Sequence, residues 1–394
     1  MDLSNRRTVA IAVGGLVALA AAMGIGRFVY TPILPYMDEG LGLTKAQAGL
    51  IASANFLGYL LGALSAAAAA LPGGRRAWLL AALAASALST GAMGLVASLP
   101  AFLLLRLAGG IASAFVLVLS SAIVLDRLSA ARRGGLSALH FAGVGCGIAL
   151  SAVLVAGLGA AGFGWRGQWI ASGGLSLLAL AAAAVLIPGE VGIERPPPPP
   201  ASIERRGGLI ALIVAYGLFG FGYVITATFI NTLVRSSAEL RAVEPFIWLV
   251  VGLAAIPSVG LWTWVGVRLG NGRAIAVACV VEALGVAMSV LASGGLAVAV
   301  AGALLGGTFV GITALGLVHA RRLSQGDPRR IIALMTAAFG LGQMIGPGFA
   351  GIVHDIAGGF LVPSLTAALA LLVAAGLVVD RRTWRRGEVG LPSD

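Results

Sequence analysis

VAIAVGGLVALAAAMGIGRFVYT, residues 9–31, is an apolar run whose sole charge is Arg27. A helix crosses the hydrocarbon core of a bilayer with about 20 mostly apolar residues, so this run is long enough to span one. The signature returns at 46–71, 77–97, 101–125, 136–159, 168–187, 208–234, 245–267, 274–292, 296–319, 331–354 and 360–379. The twelve runs together hold 276 of the 394 residues. Composition agrees: 59% of the 394 residues are hydrophobic and 10% are charged, against roughly 25% charged in a soluble domain. Such a chain has too little polar side chain to cover a surface in water, and lipid removes that requirement. The expected class is an all-α integral membrane protein.

The net charge of +11 could suggest nucleic-acid binding. The arginines, however, sit in short groups between apolar runs, so no nucleic-acid partner is expected. Their placement sets orientation instead. One set of connections, with both termini, carries twenty basic residues; the other carries Lys45, Arg166, Arg235 and Arg241. The rich side is expected to face the cytoplasm, in a bacterial inner membrane. Arg6 and Arg7 before the first run resemble a twin-arginine export signal, but no small-residue cleavage site follows, and the run is read as a retained span. Cys146 and Cys279 lie inside apolar runs and predict packing, not a disulfide framework.

Residues 188–207 differ from the other connections. Pro196 to Pro200 are consecutive and are flanked by Glu190, Glu194, Arg195, Glu204, Arg205 and Arg206. A proline run is extended and cannot pack as a span, so this stretch is expected to be a cytoplasmic linker between a six-helix half, 1–187, and a second half, 208–394.

The halves overlay at an offset of about 196 residues. Gly24-Ile25-Gly26-Arg27 falls on Gly220-Phe221-Gly222-Tyr223. Leu107-Ala108-Gly109-Gly110 falls on Leu304-Leu305-Gly306-Gly307, Gly145-Cys146-Gly147 on Gly340-Leu341-Gly342, and Gly74-Arg75 on Gly272-Arg273. In a chain with 58 glycines each match is weak; four in the same order imply a duplicated six-helix unit. Such folds hold substrate near the midplane between the halves and alternate access by rocking one against the other.

The stretch from Gly24 to Pro35, Gly-Ile-Gly-Arg-Phe-Val-Tyr-Thr-Pro-Ile-Leu-Pro, with Gln47-Ala48-Gly49 and Asn55-Phe56-Leu57-Gly58-Tyr59, resembles the major facilitator superfamily, and within it the YbfB/YjiJ-type group. Arg106-Leu107-Ala108-Gly109-Gly110 is similar to the superfamily's Arg-x-x-x-Gly element and Gly346-Pro347-Gly348 to its eleventh-helix Gly-Pro element. The resemblance covers essentially the whole chain. It implies that helices one, four, seven and ten line a central cavity, and that one chain, as a monomer, forms a complete pathway. One departure is visible: Gly62-Ala63-Leu64-Ser65 is followed by Ala66 where the family usually has aspartate, while the basic end Arg75-Arg76 is kept.

Buried ionisable groups are expensive and persist where they meet water or a partner. Arg27 and Arg106 lie inside runs, toward the outer side, and their repeat counterparts are Tyr223 and Ala303. No carboxylate lies inside the first six runs to neutralise them. Guanidinium binds carboxylate, sulfonate or phosphate in a fork, which predicts an anionic small-molecule substrate. The bland alternative is that both arginines snorkel to the interface or bond to backbone carbonyls. Further candidate contacts are Tyr30, Asn55, Tyr59, Tyr223, Thr226, Asn231, Thr336, Phe339 and Gln343, each equally readable as an interhelical hydrogen bonder or packing residue. His140 and Glu282 are the candidates for proton coupling. No phosphate loop, zinc-ligand spacing or nucleophile elbow is present, so no enzyme activity, cofactor or metal is expected. The expected function is secondary active transport of a small organic anion, driven by protons or a counter-substrate. Alternatives are export of amphipathic toxic compounds and a non-transporting membrane sensor or scaffold.

Overall fold

The computed structural model describes residues 3–68, 74–189, 206–323 and 328–379. The proline run Pro196 to Pro200 lies outside the described residues. Among the described residues twelve helices have the length and hydropathy to cross a membrane. They are α1 (Arg7–Leu41), α2 (Lys45–Ala66), α3 (Arg75–Leu95), α4 (Leu99–Ala130), α5 (Gly134–Ala160), α6 (Trp165–Leu186), α7 (Gly208–Ser236), α8 (Glu244–Leu269), α9 (Asn271–Leu291), α10 (Gly295–Leu323), α11 (Ile331–Ala357) and α12 (Leu361–Val378). Six precede 188–207 and six follow it. The described residues form helices and turns and no strand.

Most boundaries fall within a few residues of the apolar runs. The first does not: α1 continues ten residues past the expected end at 31, through Pro32 and Pro35 to Leu41, where Gly42 turns left-handed at φ 63° and donates its N–H to the Asp38 carbonyl. This corrects two expectations. Arg27 sits near the middle of its span, not near the outer end. Carboxylates do lie within the first six spans: Asp38 pairs with Lys45 at 2.7 Å, Glu39 with Arg235 and Asp126 with Arg75, none of them with Arg27 or Arg106.

The repeat is visible in the packing. A Cβ on Gly147 would lie 2.2 Å from the Ala20 carbonyl oxygen, at the α1–α5 contact. A Cβ on Gly342 would lie 2.1 Å from the Gly217 oxygen, at the α7–α11 contact. The matched glycines therefore mark one helix crossing, made twice. One match shifts. Gly74 precedes α3 at φ 91° and ψ 146°, and the residue with that conformation before α9 is Gly270, at φ 83° and ψ 146°, not Gly272. The offset becomes 196 there too.

The two sets meet mainly through α2 against α11 and α5 against α8. The last turns of α1 meet α7. Thr31 donates to the Ala227 carbonyl at 2.7 Å, and Arg235 forks onto Glu39 with two contacts of 2.9 Å; both pairs are 196 apart in sequence. Repeat-equivalent residues that touch each other lie on the pseudo-two-fold axis. Ser53 Oγ accepts from the Gly348 N–H at 3.1 Å, and Asp355 accepts from the N–H groups of Lys45 and Ala46 at 3.2 and 2.9 Å. That last contact caps the N-terminus of α2 with a carboxylate from the other set. All these contacts lie between the level of Arg27 and the arginine-poor end of the bundle.

Candidate functional site

The site begins with two prolines. Pro32 and Pro35 have no N–H to donate to the carbonyls of Phe28 and Thr31. Upstream, residues Ala20–Ile25 form a π turn, and the regular ladder lapses over 26–29. Thr31 N–H turns to the Phe28 oxygen at 3.2 Å. In lipid every backbone group needs a partner, and a side chain from α4 supplies it. Arg106 donates through Nη1 to the Gly26 carbonyl at 3.0 Å and through Nη2 to the Arg27 carbonyl at 2.9 Å. Its guanidinium also lies over the rings of Tyr30, at 5.2 Å, and Trp169, at 5.9 Å. Asn55 of α2 donates to the Arg106 carbonyl at 2.9 Å. Tyr30 donates to the Ala48 carbonyl at 2.8 Å. These four residues hold the interrupted stretch of α1 in place.

That stretch presents Arg27, which is 3% exposed. Its guanidinium carbon lies 4.1 Å from the Tyr59 ring centre, 4.7 Å from Phe56 and 5.3 Å from Phe28. Cation–π contacts of this kind are worth about 0.5–2 kcal/mol each. Across the interface between the sets, Nη2 donates to Gln343 Oε1 of α11 at 2.7 Å. Nε donates to nothing. Nε and Nη2 are the two donors of the side-on fork that guanidinium offers a carboxylate; one prong meets a neutral amide oxygen and the other is empty. Among the described residues no acidic side chain pairs with Arg27 or Arg106.

Gln343 also donates through Nε2 to the Tyr223 hydroxyl. One amide thus joins Arg27 to its repeat counterpart. Around Tyr223 the rings are close to parallel: Phe309 at 5.5 Å and 9°, Phe339 at 5.9 Å and 7°, Phe219 at 5.2 Å and 23°. A cavity beside Arg27 is lined by Phe28, Tyr30, Thr31, Phe56, Arg106 and Thr228, among others, and has only about 10 Å³ for the centre of a solvent molecule, room for roughly one water. In this conformation the protein's own side chains fill the centre.

The structure therefore brings Arg27, Tyr30, Asn55, Tyr59, Arg106, Tyr223, Phe339 and Gln343 together. Thr226 is buried nearby with its hydroxyl unpartnered. Asn231 is elsewhere: it is about 12 Å further along α7 than Tyr223 and donates to Glu244 Oε1 at 3.0 Å, in a group with Arg235 and Glu39. Thr336 is half-buried, about 10 Å from Gln343 along α11. His140 is also apart. It is fully buried between α1 and α4, against Gly15, with Nε2 3.1 Å from Ser121 Oγ and Nδ1 without a partner; Gly15 is about 18 Å along α1 from Arg27. Glu282 is 0% exposed and both its carboxylate oxygens lack a hydrogen bond; the nearby Thr308 hydroxyl donates to the Leu304 carbonyl at 2.7 Å. Arg75, at the basic end of the loop whose usual aspartate position is Ala66, meets Asp126 of α4 at 3.2 Å.

Sequence reasoning missed Phe28, Phe56, Phe309 and Thr31, since a phenylalanine in an apolar run looks like any lipid-facing one. Phe28 and Phe56 stood inside the quoted motifs, and their i and i+3 spacings to Thr31 and Tyr59 were the available signal. No group of three or more His, Cys, Asp or Glu side chains able to hold a metal occurs among the described residues.

A family model described as "Uncharacterised MFS-type transporter YbfB" matches residues 19–379. No curated protein matches the sequence. Solved structures share the fold. The nucleoside transporter NupG, as a point mutant, superposes with a TM-score of 0.71 at 15% identity, covering 94% of this chain and 97% of that one. A bacterial homologue of the human lysosomal transporter Spinster, inward-facing and occupied, gives 0.70 at 15%, covering 96% and 97%. The human organic anion transporter MFSD10 (TETRAN) gives 0.66 at 16%, covering 96% and 100%.

Proposed function

The chain belongs to the YbfB-type family of major facilitator superfamily transporters, and on that premise we propose that it is a secondary active transporter of a small organic anion, working by alternating access. The observation that carries the anion is the half-filled fork of Arg27. A buried guanidinium with an unmatched Nε, no acidic partner among the described residues and one neutral acceptor is poised for a carboxylate that displaces Gln343. Hydrogen bonds to charged groups contribute about 1.5–3 kcal/mol each. The same fold carries organic anions in one structural neighbour.

The arginine-poor end faces out of a bacterial inner membrane on this reading, with both termini in the cytoplasm, following the twenty-to-four bias of basic residues. The contacts of Thr31, Glu39, Ser53 and Asp355 then close the outer side. Transport requires them to part while the inner side closes. Drive comes from protons or from exchange against a second anion. Glu282 is the stronger candidate for a proton carrier, because burying its charge without a donor is costly, whereas His140 has Ser121 as a partner.

The test is uptake by the purified protein in liposomes, with carboxylates, sulfonates and phosphorylated metabolites offered with and without a pH gradient. Saturable flux of one anion class is expected, falling at least about tenfold in Arg27→Ala, the loss of one charged hydrogen bond. If neutral amphiphiles or lipophilic cations move instead, and Arg27→Ala is silent, the ring-lined centre belongs to an exporter of amphipathic compounds. Binding without any flux would make the protein a sensor.

A further inference from the structure

Two features at the centre narrow the anion further. The first is charge. Arg106 cannot leave its post without stranding the carbonyls of Gly26 and Arg27, because Nη1 and Nη2 each hold one of them. Among the described residues of the centre Arg27 is then the cation whose fork is open to a ligand, while Arg106 keeps its own charge beside it and lines the same cavity.

The second is the distribution of rings. Phe28, Trp248, Phe309, Tyr223, Phe219, Phe339 and Tyr216 form one unbroken series of ring contacts. Phe56 and Tyr59 join it through the faces of the Arg27 guanidinium. Nine of the 26 aromatic residues are thus gathered where the two six-span sets meet. The orientations vary along the series. Phe28 meets Trp248 at 57° and Phe309 at 73°, and the separate pair Phe102 and Trp165 is at 74°. Around Tyr223 the rings are parallel within 23°. Offset-parallel and edge-to-face pairs both pack a core, and the parallel stack is the one that a flat guest extends without turning any ring.

We propose that the substrate is a planar aromatic carboxylate, its carboxylate replacing the Gln343 oxygen on the Nε and Nη2 fork of Arg27, and its ring entering the stack at Tyr223 and Phe339. This rests on the anion reading above and adds the shape of the anion. Gln343 acts as the latch: it satisfies Arg27 and Tyr223 when the site is empty, and both contacts break when a carboxylate arrives. Stacking adds selectivity for a flat ring over a puckered one of the same size and charge.

The probes are benzoate and cyclohexanecarboxylate, titrated calorimetrically into the purified full-length protein in detergent. Benzoate should bind roughly 3- to 10-fold more tightly, the range that aromatic stacking provides. That ratio should fall toward one in Phe339→Leu, and in Tyr223→Leu if the first variant aggregates, whereas a purely structural role weakens both probes equally and preserves the ratio. Equal binding of the two probes in the wild-type protein overturns the aromatic assignment and leaves the anion reading standing. A preserved ratio in a folded variant overturns the placement of the ring. If neither probe binds and no anion moves in liposomes, the anion reading fails and this one with it.

Discussion

α1 and α7 are the same helix in the two six-span sets, and they have been put to different uses. At 27 and 223 one carries a guanidinium and the other a phenol, joined by the amide of Gln343. α1 loses its regular ladder over 26–29 under the influence of Pro32 and Pro35. α7 runs as one uninterrupted helix from Arg206 to Ser236. The partner residues follow suit: α4 supplies Arg106 to hold the freed carbonyls, and the matching position in α10 is Ala303, where there is nothing to hold. A duplicated scaffold has one copy that carries charge and irregular backbone and one that carries a flat apolar wall. Interrupted spans are where transporters of several folds place their binding sites, and here the interruption, the buried cation and the empty donor coincide.

The sharpest way to break this contrast is to remove what the interruption requires. Arg106→Leu leaves two buried carbonyls without donors, a cost of about 2–6 kcal/mol at 1–3 per group. A large fall in the thermal midpoint of the detergent-solubilised protein is expected. Pro32→Ala restores an N–H toward the Phe28 carbonyl, which releases the Thr31 N–H to the Arg27 carbonyl and lets α1 approach the continuity of α7. In that background the cost of Arg106→Leu should shrink by about 1 kcal/mol or more, one recovered hydrogen bond. Additive effects in the double-mutant cycle would mean that Arg106 does not serve the interruption, and that its two contacts with α1 are incidental.

The scaffold itself should respond alike in both sets. Gly147→Ala and Gly342→Ala each place a methyl group about 2 Å from a backbone oxygen, of Ala20 and Gly217 respectively. Overpacking of this kind costs about 1–3 kcal/mol. The two variants should lose similar stability. A much smaller loss in one would show that its helix crossing relaxes more easily, and would make that set the softer half of the rocking pair.

This division explains what could be read from the chain. The spans were legible because lipid demands long apolar runs, and the duplication because Gly24, Gly147, Gly220 and Gly342 mark contacts too close for a side chain. Arg27 and Arg106 stood out as charges in lipid. Their separate roles did not, since a guanidinium that holds backbone and one that awaits a ligand are the same residue in sequence; only the partners, Gly26 and Arg27 carbonyls against Gln343, separate them. The end of α1 was hidden because Pro32, Pro35, Asp38 and Glu39 resemble the close of a span. Here the helix continues through both prolines, and Asp38 and Glu39 find Lys45 and Arg235. The ring stack was invisible for the opposite reason: its phenylalanines are ordinary in an apolar run until α1, α7, α10 and α11 bring them together.

The smallest effect is expected where α1 and α7 touch on the axis. Glu39 is 59% exposed and Arg235 20%, so their two-pronged contact is worth about 0.2–1 kcal/mol. Glu39→Gln removes the charge on the α1 side alone. Arg235 keeps its place over the Tyr36 ring, at 4.1 Å, and near Glu244, at 3.6 Å, so the variant tests the bond between the sets and not the fold of either. A cysteine introduced as Thr31→Cys, with Cys146 and Cys279 changed to alanine, would report opening from the arginine-poor side through its reaction with a membrane-impermeant thiol reagent. Glu39→Gln should speed that reaction by about 1.4- to 5-fold, and high salt should do the same to the wild-type pair by screening it. A change well above tenfold would mean that Glu39 and Arg235 hold the side shut largely unaided. No change, in either the variant or salt, would place the closure with an uncharged contact that salt does not screen, the Ser53 hydroxyl against the Gly348 N–H.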